Sequence, residues 1–156
     1  MSAETVEPQP AAPQPPAPQP RACLVTLGGQ LYAVEVRYAR EVVVFDEYTD
    51  VPLAPQYLLG LANLRGRIVP LVDIRPLLGL EPSRATRRAK ALVVERGATP
   101  AALLIDEVVG LEPLENLAPA DGEGSGFGQG RLEREGGAAT LLDVSRILAA
   151  LAGAEN

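Results

Sequence analysis

The chain has 156 residues, 47% of them apolar, with a formal charge of −6, one cysteine and no histidine. That length holds one domain or two small subdomains sharing a core. The acidic balance argues against a function governed by attraction to nucleic-acid phosphates, and the missing histidine removes the commonest general base and transition-metal ligand.

Aromatic residues make up 4% and tryptophan is absent, so the core must rest on Val, Leu, Ile and Ala, of which the β-branched members favour strands. Cys23 has no partner for an internal disulfide and reads as a small core residue. The N-terminal MSAETVEP has no basic segment leading into an apolar run, and no run is long enough to cross a bilayer. A cytosolic protein with no direct membrane insertion is expected.

Residues 1–20, MSAETVEPQPAAPQPPAPQP, form a Pro, Ala and Gln tract expected to be an extended tail that tethers rather than packs. Folding is expected from Arg21. Ala22–Leu27 and Leu31–Val36 flank Gly28-Gly29-Gln30 as a first hairpin. Arg37–Arg40 suits a single helical turn, followed by a third strand, Glu41–Phe45, whose three valines predict burial on both sides. Asp46–Pro55 is turn-rich, with Pro52 and Pro55 enforcing extended geometry. Leu59–Leu64 and Arg67–Val72 then form a hairpin in which Gly66 supplies the positive φ of the turn, leaving Arg65 held out at the tip. A guanidinium without a nearby His, Cys or Ser suits recognition of a carboxylate or carbonyl edge better than catalysis.

The second half repeats this plan. Ala91–Val94 and Ala102–Ile105 flank a turn at 97–100, and Val108–Leu111 follows as Val42–Val44 did. The closing units, Leu71-Val-Asp-Ile-Arg-Pro-Leu-Leu and Leu141-Leu-Asp-Val-Ser-Arg-Ile-Leu, share one pattern, with each Asp placed to cap a helix. We read a duplication, approximately 21–80 and 90–145, with crossed-over packing of the halves allowed. The fold class expected is mainly β, two small antiparallel barrels with a few short helices. Glu81–Lys90 reads as a linker or crossover, Ala120–Gly130 as a mobile Gly-rich loop, and Val144–Leu151 as a helix docked through Ile147, Leu148 and Leu151.

Chemistry has few carriers. Asp73, Asp106 and Asp143 each end an apolar strand, where carboxylates can converge on Mg²⁺ in a phosphoryl enzyme. The preferred alternative has Asp73 and Asp143 as helix caps and Asp106 opening a turn with Glu107. Neither Gly-Lys-Ser/Thr, GxSxG nor CxxC occurs, and Gly124-Ser-Gly-Phe-Gly has no following helix to cradle a phosphate. No cofactor or metal is expected. Arg84, Arg87, Arg88 and Lys90 form a basic run, read as a solvated face with an acidic partner as the alternative. The residues alone leave open whether Arg65 is a contact or a tolerated tip residue, and whether Glu41 is an edge charge or half of a recognition pair with an arginine.

Together these residues resemble the CheW-like family, the chemotaxis coupling proteins. The likeness starts at Ala22-Cys-Leu-Val-Thr-Leu-Gly-Gly and continues through Tyr32-Ala-Val-Glu-Val and Arg40-Glu-Val-Val. It is sharpest in Gly60-Leu-Ala-Asn-Leu-Arg-Gly-Arg-Ile-Val-Pro-Leu-Val-Asp-Ile-Arg, resumes at Leu103-Leu-Ile-Asp-Glu-Val, and ends at Leu141-Leu-Asp-Val. The resemblance implies a CheW-like domain over 21–152, built from two SH3-like five-stranded subdomains with a groove between them. It implies a non-catalytic adaptor between the cytoplasmic tip of a chemoreceptor and the regulatory domain of a CheA-type histidine kinase, located at receptor assemblies on the inner face of the membrane. Positions matching the family's interaction residues are Ala39, Glu41, Val42, Gly60, Arg65, Gly66 and Leu111. A receptor-binding decoy or scaffold that does not engage the kinase is the alternative within the same class. Ala101-Ala102, where the family usually has a Gly, the Gly-rich 120–136 segment and the proline tail depart from the pattern, and the tail points to a specialised paralogue in surface motility.

Overall fold

Apolar residues at alternate positions, broken by Gly pairs and prolines, give short strands joined by tight turns. The computed structural model describes residues 19–83, 88–119 and 126–153. In chain order it holds β1 (Arg21–Leu27), β2 (Gln30–Glu35), β3 (Ala39–Phe45), β4 (Leu58–Leu64), β5 (Arg67–Val72), a 3-10 turn (Pro76–Leu78), β6 (Ala89–Arg96), β7 (Thr99–Leu104), β8 (Glu107–Pro113), β9 (Leu117–Ala118), β10 (Gly128–Leu132), β11 (Ala139–Leu142) and α1 (Val144–Gly153). The protein is mainly β, as expected.

The strands make two sheets, one ordered β8-β1-β2-β11-β10-β9 and the other β3-β6-β7-β5-β4. Each sheet takes strands from both halves of the chain, so the halves interlock, and the boundary at 80–90 falls between hairpins rather than between sheets. Pairing is antiparallel except for one parallel joint per sheet, β2 with β11 and β5 with β7. The edge strands of each sheet are neighbours in sequence. Chain leaving β3 returns to β4 at Thr49, which exchanges two 2.8 Å backbone hydrogen bonds with Leu61. β8 likewise runs on to β9, which pairs with β10. Both sheets therefore bend round on themselves.

Three apolar clusters fill this arrangement. Phe45, Ala62, Val69, Leu71, Ala91, Val93, Ala102 and Leu104 line the inside of the five-stranded sheet. Leu24, Ala33, Leu132 and Leu141 line the six-stranded one. Between the sheets lies the largest cluster, with Cys23, Val25, Val34, Leu92, Leu103 and Val72, closed by Ile147 and Leu148 of α1. Strand alternation explains the division, because Ala91 and Val93 of β6 face one core while Leu92 and Val94 face the other.

The two sheets obey one plan. Leu58 pairs with Val72 and, past a bulge, Gly60 pairs with Leu71; Gly128 pairs with Leu142 and, past a bulge, Gly130 pairs with Leu141. The Asp73 N–H donates to Tyr57 O at 2.7 Å, and the Asp143 N–H to Phe127 O at 2.7 Å.

Several local expectations are corrected. Residues 36–38 make a turn closed by the Tyr38 and Ala39 N–H groups on Glu35 O and Val36 O, and Ala39 and Arg40 already belong to β3 rather than to a helical turn. Val42 and Val44 are exposed, not buried, because β3 is an edge strand whose outer face extends past the central core. Asp73 caps no helix: the N-cap residue of the 3-10 turn is Arg75, and no side chain caps it. Within the expected loop, Gly128–Gly130 form the start of β10; residues 120–125 lie outside the described residues, as do 1–18 of the tail and 84–87 of the linker.

Candidate functional site

β4 and β5 are joined by a two-residue turn, since Leu64 pairs directly with Arg67. Both turn residues lie at positive φ, Arg65 at 51° and Gly66 at 83°, the combination that matches the twist of paired strands. The Asn63 carboxamide oxygen accepts the Gly66 N–H at 2.7 Å and braces the turn. Arg65 is thereby swung toward β3, where Nη1 and Nη2 donate to the two Glu41 oxygens at 2.7 and 2.6 Å. This bidentate geometry fixes the planes of both groups. The hydrogen bond and charge of Glu41 raise the Arg65 pKa above its already high usual value. Arg65 remains 75% exposed, so the pair is a charged feature presented to solvent. The arginine partner left open for Glu41 is thus within the chain.

On the opposite face of β3 from Glu41, Val42 (45% exposed) and Val44 are turned outward. Val42 ends a rung that continues through Leu92 and Leu103 in the central core. Leu111, 50% exposed on β8, ends the corresponding rung through Cys23 and Val34. The two residues therefore occupy equivalent edges of the two sheets. A matching clamp stands near Leu111, where Arg134 Nε, from the turn after β10, reaches Glu112 Oε1 at 2.8 Å. Ala39 is half-buried at the root of β3, opposite Val94. Gly60 lies buried where the chain crosses β4: a Cβ there would sit 2.3 Å from Thr49 O and 2.9 Å from the Tyr48 ring. The structure therefore joins Glu41, Val42, Arg65 and Gly66 on one edge, puts Leu111 on the other, and leaves Gly60 beneath the surface.

The aspartates find partners other than metal. Arg75, 4% exposed, donates from Nη1 to Asp73 Oδ1 at 3.1 Å and from Nη2 to Asp106 Oδ1. Asp143 stands apart and caps α1, accepting the Arg146 N–H at 3.0 Å. Among the described residues no group of three or more His, Cys, Asp and Glu side chains is placed to hold an ion. The described members of the basic run are paired, Arg88 with Asp46 at 3.3 Å and Lys90 with Glu107 at 2.8 Å; Arg84 and Arg87 lie outside the described residues.

Residues 21–152 match the family described as the CheW-like domain. The chain belongs to the CheW-like family. It is 31% identical over 115 residues to Protein PilI of Pseudomonas aeruginosa, a match covering 70% of this chain and 65% of that protein. It is 33% identical over 82 residues to the probable chemotaxis protein CheW of Rhizobium etli, of which the match covers 53%. The CheW of Rhizobium meliloti is 30% identical over 129 residues, with 78% of this chain and 82% of that one covered. The solved structure of the scaffolding protein TtCheW from Thermoanaerobacter tengcongensis shares the fold, with a TM-score of 0.70 at 22% identity, covering 80% of this chain and 88% of that one.

Within this CheW-like chain, sequence reasoning missed the second clamp. Arg134 and Glu112 belong to no motif, and only the matched strand plan of the two sheets brings them together. It also missed a cleft of about 440 Å³ beside that clamp, lined among others by Glu112, Glu115, Asn116 and Glu135. Burial raises the pKa values of Cys23 and Tyr32, keeping the thiol protonated.

Proposed function

We propose that this CheW-like protein is a non-catalytic adaptor that joins the cytoplasmic tip of a chemoreceptor to the regulatory domain of a CheA-type histidine kinase. The observation that carries the reading is the β3 edge strand, which exposes Val42 and Val44 on one face and holds the Glu41–Arg65 pair on the other. Aliphatic area supplies affinity along this edge, and the ion pair across the strand from it supplies register. The equivalent edge at Leu111, with its own Arg134–Glu112 pair, supports a two-sided scaffold. Working beside receptors places the protein in the cytoplasm, at the inner face of the membrane. No described helix is long and apolar enough to cross it.

A calorimetric titration with the kinase regulatory domain, repeated with a receptor-tip fragment present, tests the reading. Micromolar or tighter kinase binding that persists with receptor present is the expected result. Receptor binding without detectable kinase binding would replace the adaptor by a decoy or scaffold. At the residue level, Arg65→Glu is expected to weaken binding more than about fivefold while the melting transition remains cooperative. Unchanged affinity in a folded variant would return Arg65 to an intramolecular role alone.

A further inference from the structure

We infer that Arg75 is the positioning residue that fixes the two sheets relative to each other and thereby couples partner binding at the β3 edge to partner binding at the β8 edge. The inference rests on the adaptor reading. Its geometry is independent of it.

The guanidinium spans the joint between the sheets. On one side is Asp73, at the end of β5 and held to the β4 side by its N–H on Tyr57 O. Its Oδ1 accepts the Arg75 N–H and Nη1, both at 3.1 Å, and its Oδ2 accepts the Ser83 N–H at 2.7 Å. On the other side is Asp106, on the crossing from β7 to β8. Its N–H donates to Thr26 O of β1 at 2.8 Å, and its Oδ2 takes the Gly29 N–H of the β1–β2 turn at 3.4 Å. One nitrogen of Arg75 thus grips each sheet. The hairpin that presents Arg65 leads directly into Asp73 and Arg75, while Asp106 immediately precedes the strand that carries Leu111.

Apart from a solvent-exposed pair of Lys90 on β6 with Glu107 on β8, the remaining side-chain packing between the sheets is mainly apolar. Such contact is non-directional, whereas a buried guanidinium held at both ends admits one geometry. The equivalent joint lacks the device. Asp143 repeats the backbone hydrogen bond of Asp73, but Ser145 stands where Arg75 would be, and Asp143 caps α1 instead. The duplicated plan therefore carries an ionic tie at one of its two joints, a placement that packing symmetry does not require.

Arg75→Met keeps an apolar stem of similar length and leaves Asp73 with two backbone donors, and a cooperative thermal transition checks that the fold is retained. Asp106→Asn is the second variant, keeping the buried Asp73–Arg75 pair. Spin labels at exposed Ile68 and Leu117, in a Cys23→Ala background, report the distance between sheets. Titrations with the kinase regulatory domain, with and without the receptor-tip fragment, report coupling. The native chain is expected to give a narrow distance distribution and at least about fivefold change in affinity for one partner when the other is bound. In both variants the distribution should widen and the coupling fall below about twofold, with each single-partner affinity kept within about twofold. Unchanged distance widths overturn the positioning role, and coupling that survives widening overturns its consequence. A native chain binding neither partner overturns the adaptor reading and the coupling, while the label widths still decide whether Arg75 holds the sheets.

Discussion

Gly60 is fixed by the chain that crosses it. With Thr49 O 2.3 Å from where a Cβ would stand, Gly60→Ala must break the Thr49–Leu61 exchange or displace β4. The expected loss is about 2–4 kcal/mol in urea unfolding, through overpacking against backbone that cannot yield. Gly130, its counterpart, has Ala118 O at 3.1 Å, so Gly130→Ala should cost clearly less. Equal losses would refute the crossing as the cause. Leu53 gives the opposite sign. It sits at φ 60° in a turn closed by the Ala54 N–H on Val51 O, with its side chain wholly in solvent. A leucine there pays backbone strain and gains no burial, so Leu53→Asn is expected to stabilise by up to about 1 kcal/mol. A lower urea midpoint for that variant would show a contact for Leu53 in the folded chain.

Ion pairs between strands act on the scale of elements. Glu95, near the end of β6, takes Arg67 Nη2 of β5 at 2.9 Å and lies 3.8 Å from Arg40 Nε of β3, so one carboxylate ties three strands. The Arg67 hydrogen bond, with the charges of Arg67 and Arg40, lowers its pKa against an opposing effect of desolvation. A carboxylate with a lowered folded-state pKa adds stability that is present above its unfolded pKa and lost as pH falls through the folded one. Urea midpoints should therefore drop on acidification below about pH 4.5, and Glu95→Gln should make that drop shallower. An unchanged acid limb would mean that solvent screening removes the effect. Most strands were legible as elements because alternation and Gly or Pro punctuation are local signals. The Asn63-Leu-Arg-Gly66 turn was legible for the same reason. Long-range facts were not. Three valines in a row look the same in an edge strand as in a central one, so the exposure of Val42 and Val44 depends on strand order. Asp73 sits before a helix-like segment in sequence, yet a buried arginine two residues on takes it. β10 looked like loop because Gly128 and Gly130 are required by neighbours distant in the chain, Thr140 and Ala118.

At the scale of the molecule, the interleaved topology decides how the chain folds. The five-stranded sheet joins β3, β4 and β5 to β6 and β7, and the six-stranded sheet joins β1 and β2 to strands from β8 onward. Cutting between Ser83 and Arg88 would leave the first piece with the β1–β2 and β4–β5 hairpins, and β3 without its ladder partner, β6. Each piece would also expose its share of the central core, Cys23 and Val34 on one side and Leu92 and Leu103 on the other. Isolated hairpins are marginal in water, and neither piece keeps an apolar layer covered on both faces. A chain carrying a protease site in this connection is expected to stay folded after cleavage, with both pieces co-eluting and one cooperative thermal transition. Separated by denaturant and refolded alone, each piece should lack a cooperative transition by circular dichroism, and mixing should restore it. A cooperative transition in either isolated piece would mean that its hairpins fold without the strands of the other half. The two edges would then be independent modules rather than surfaces of one interlocked body, and the coupling proposed for Arg75 would act on a flexible joint instead of a fixed one.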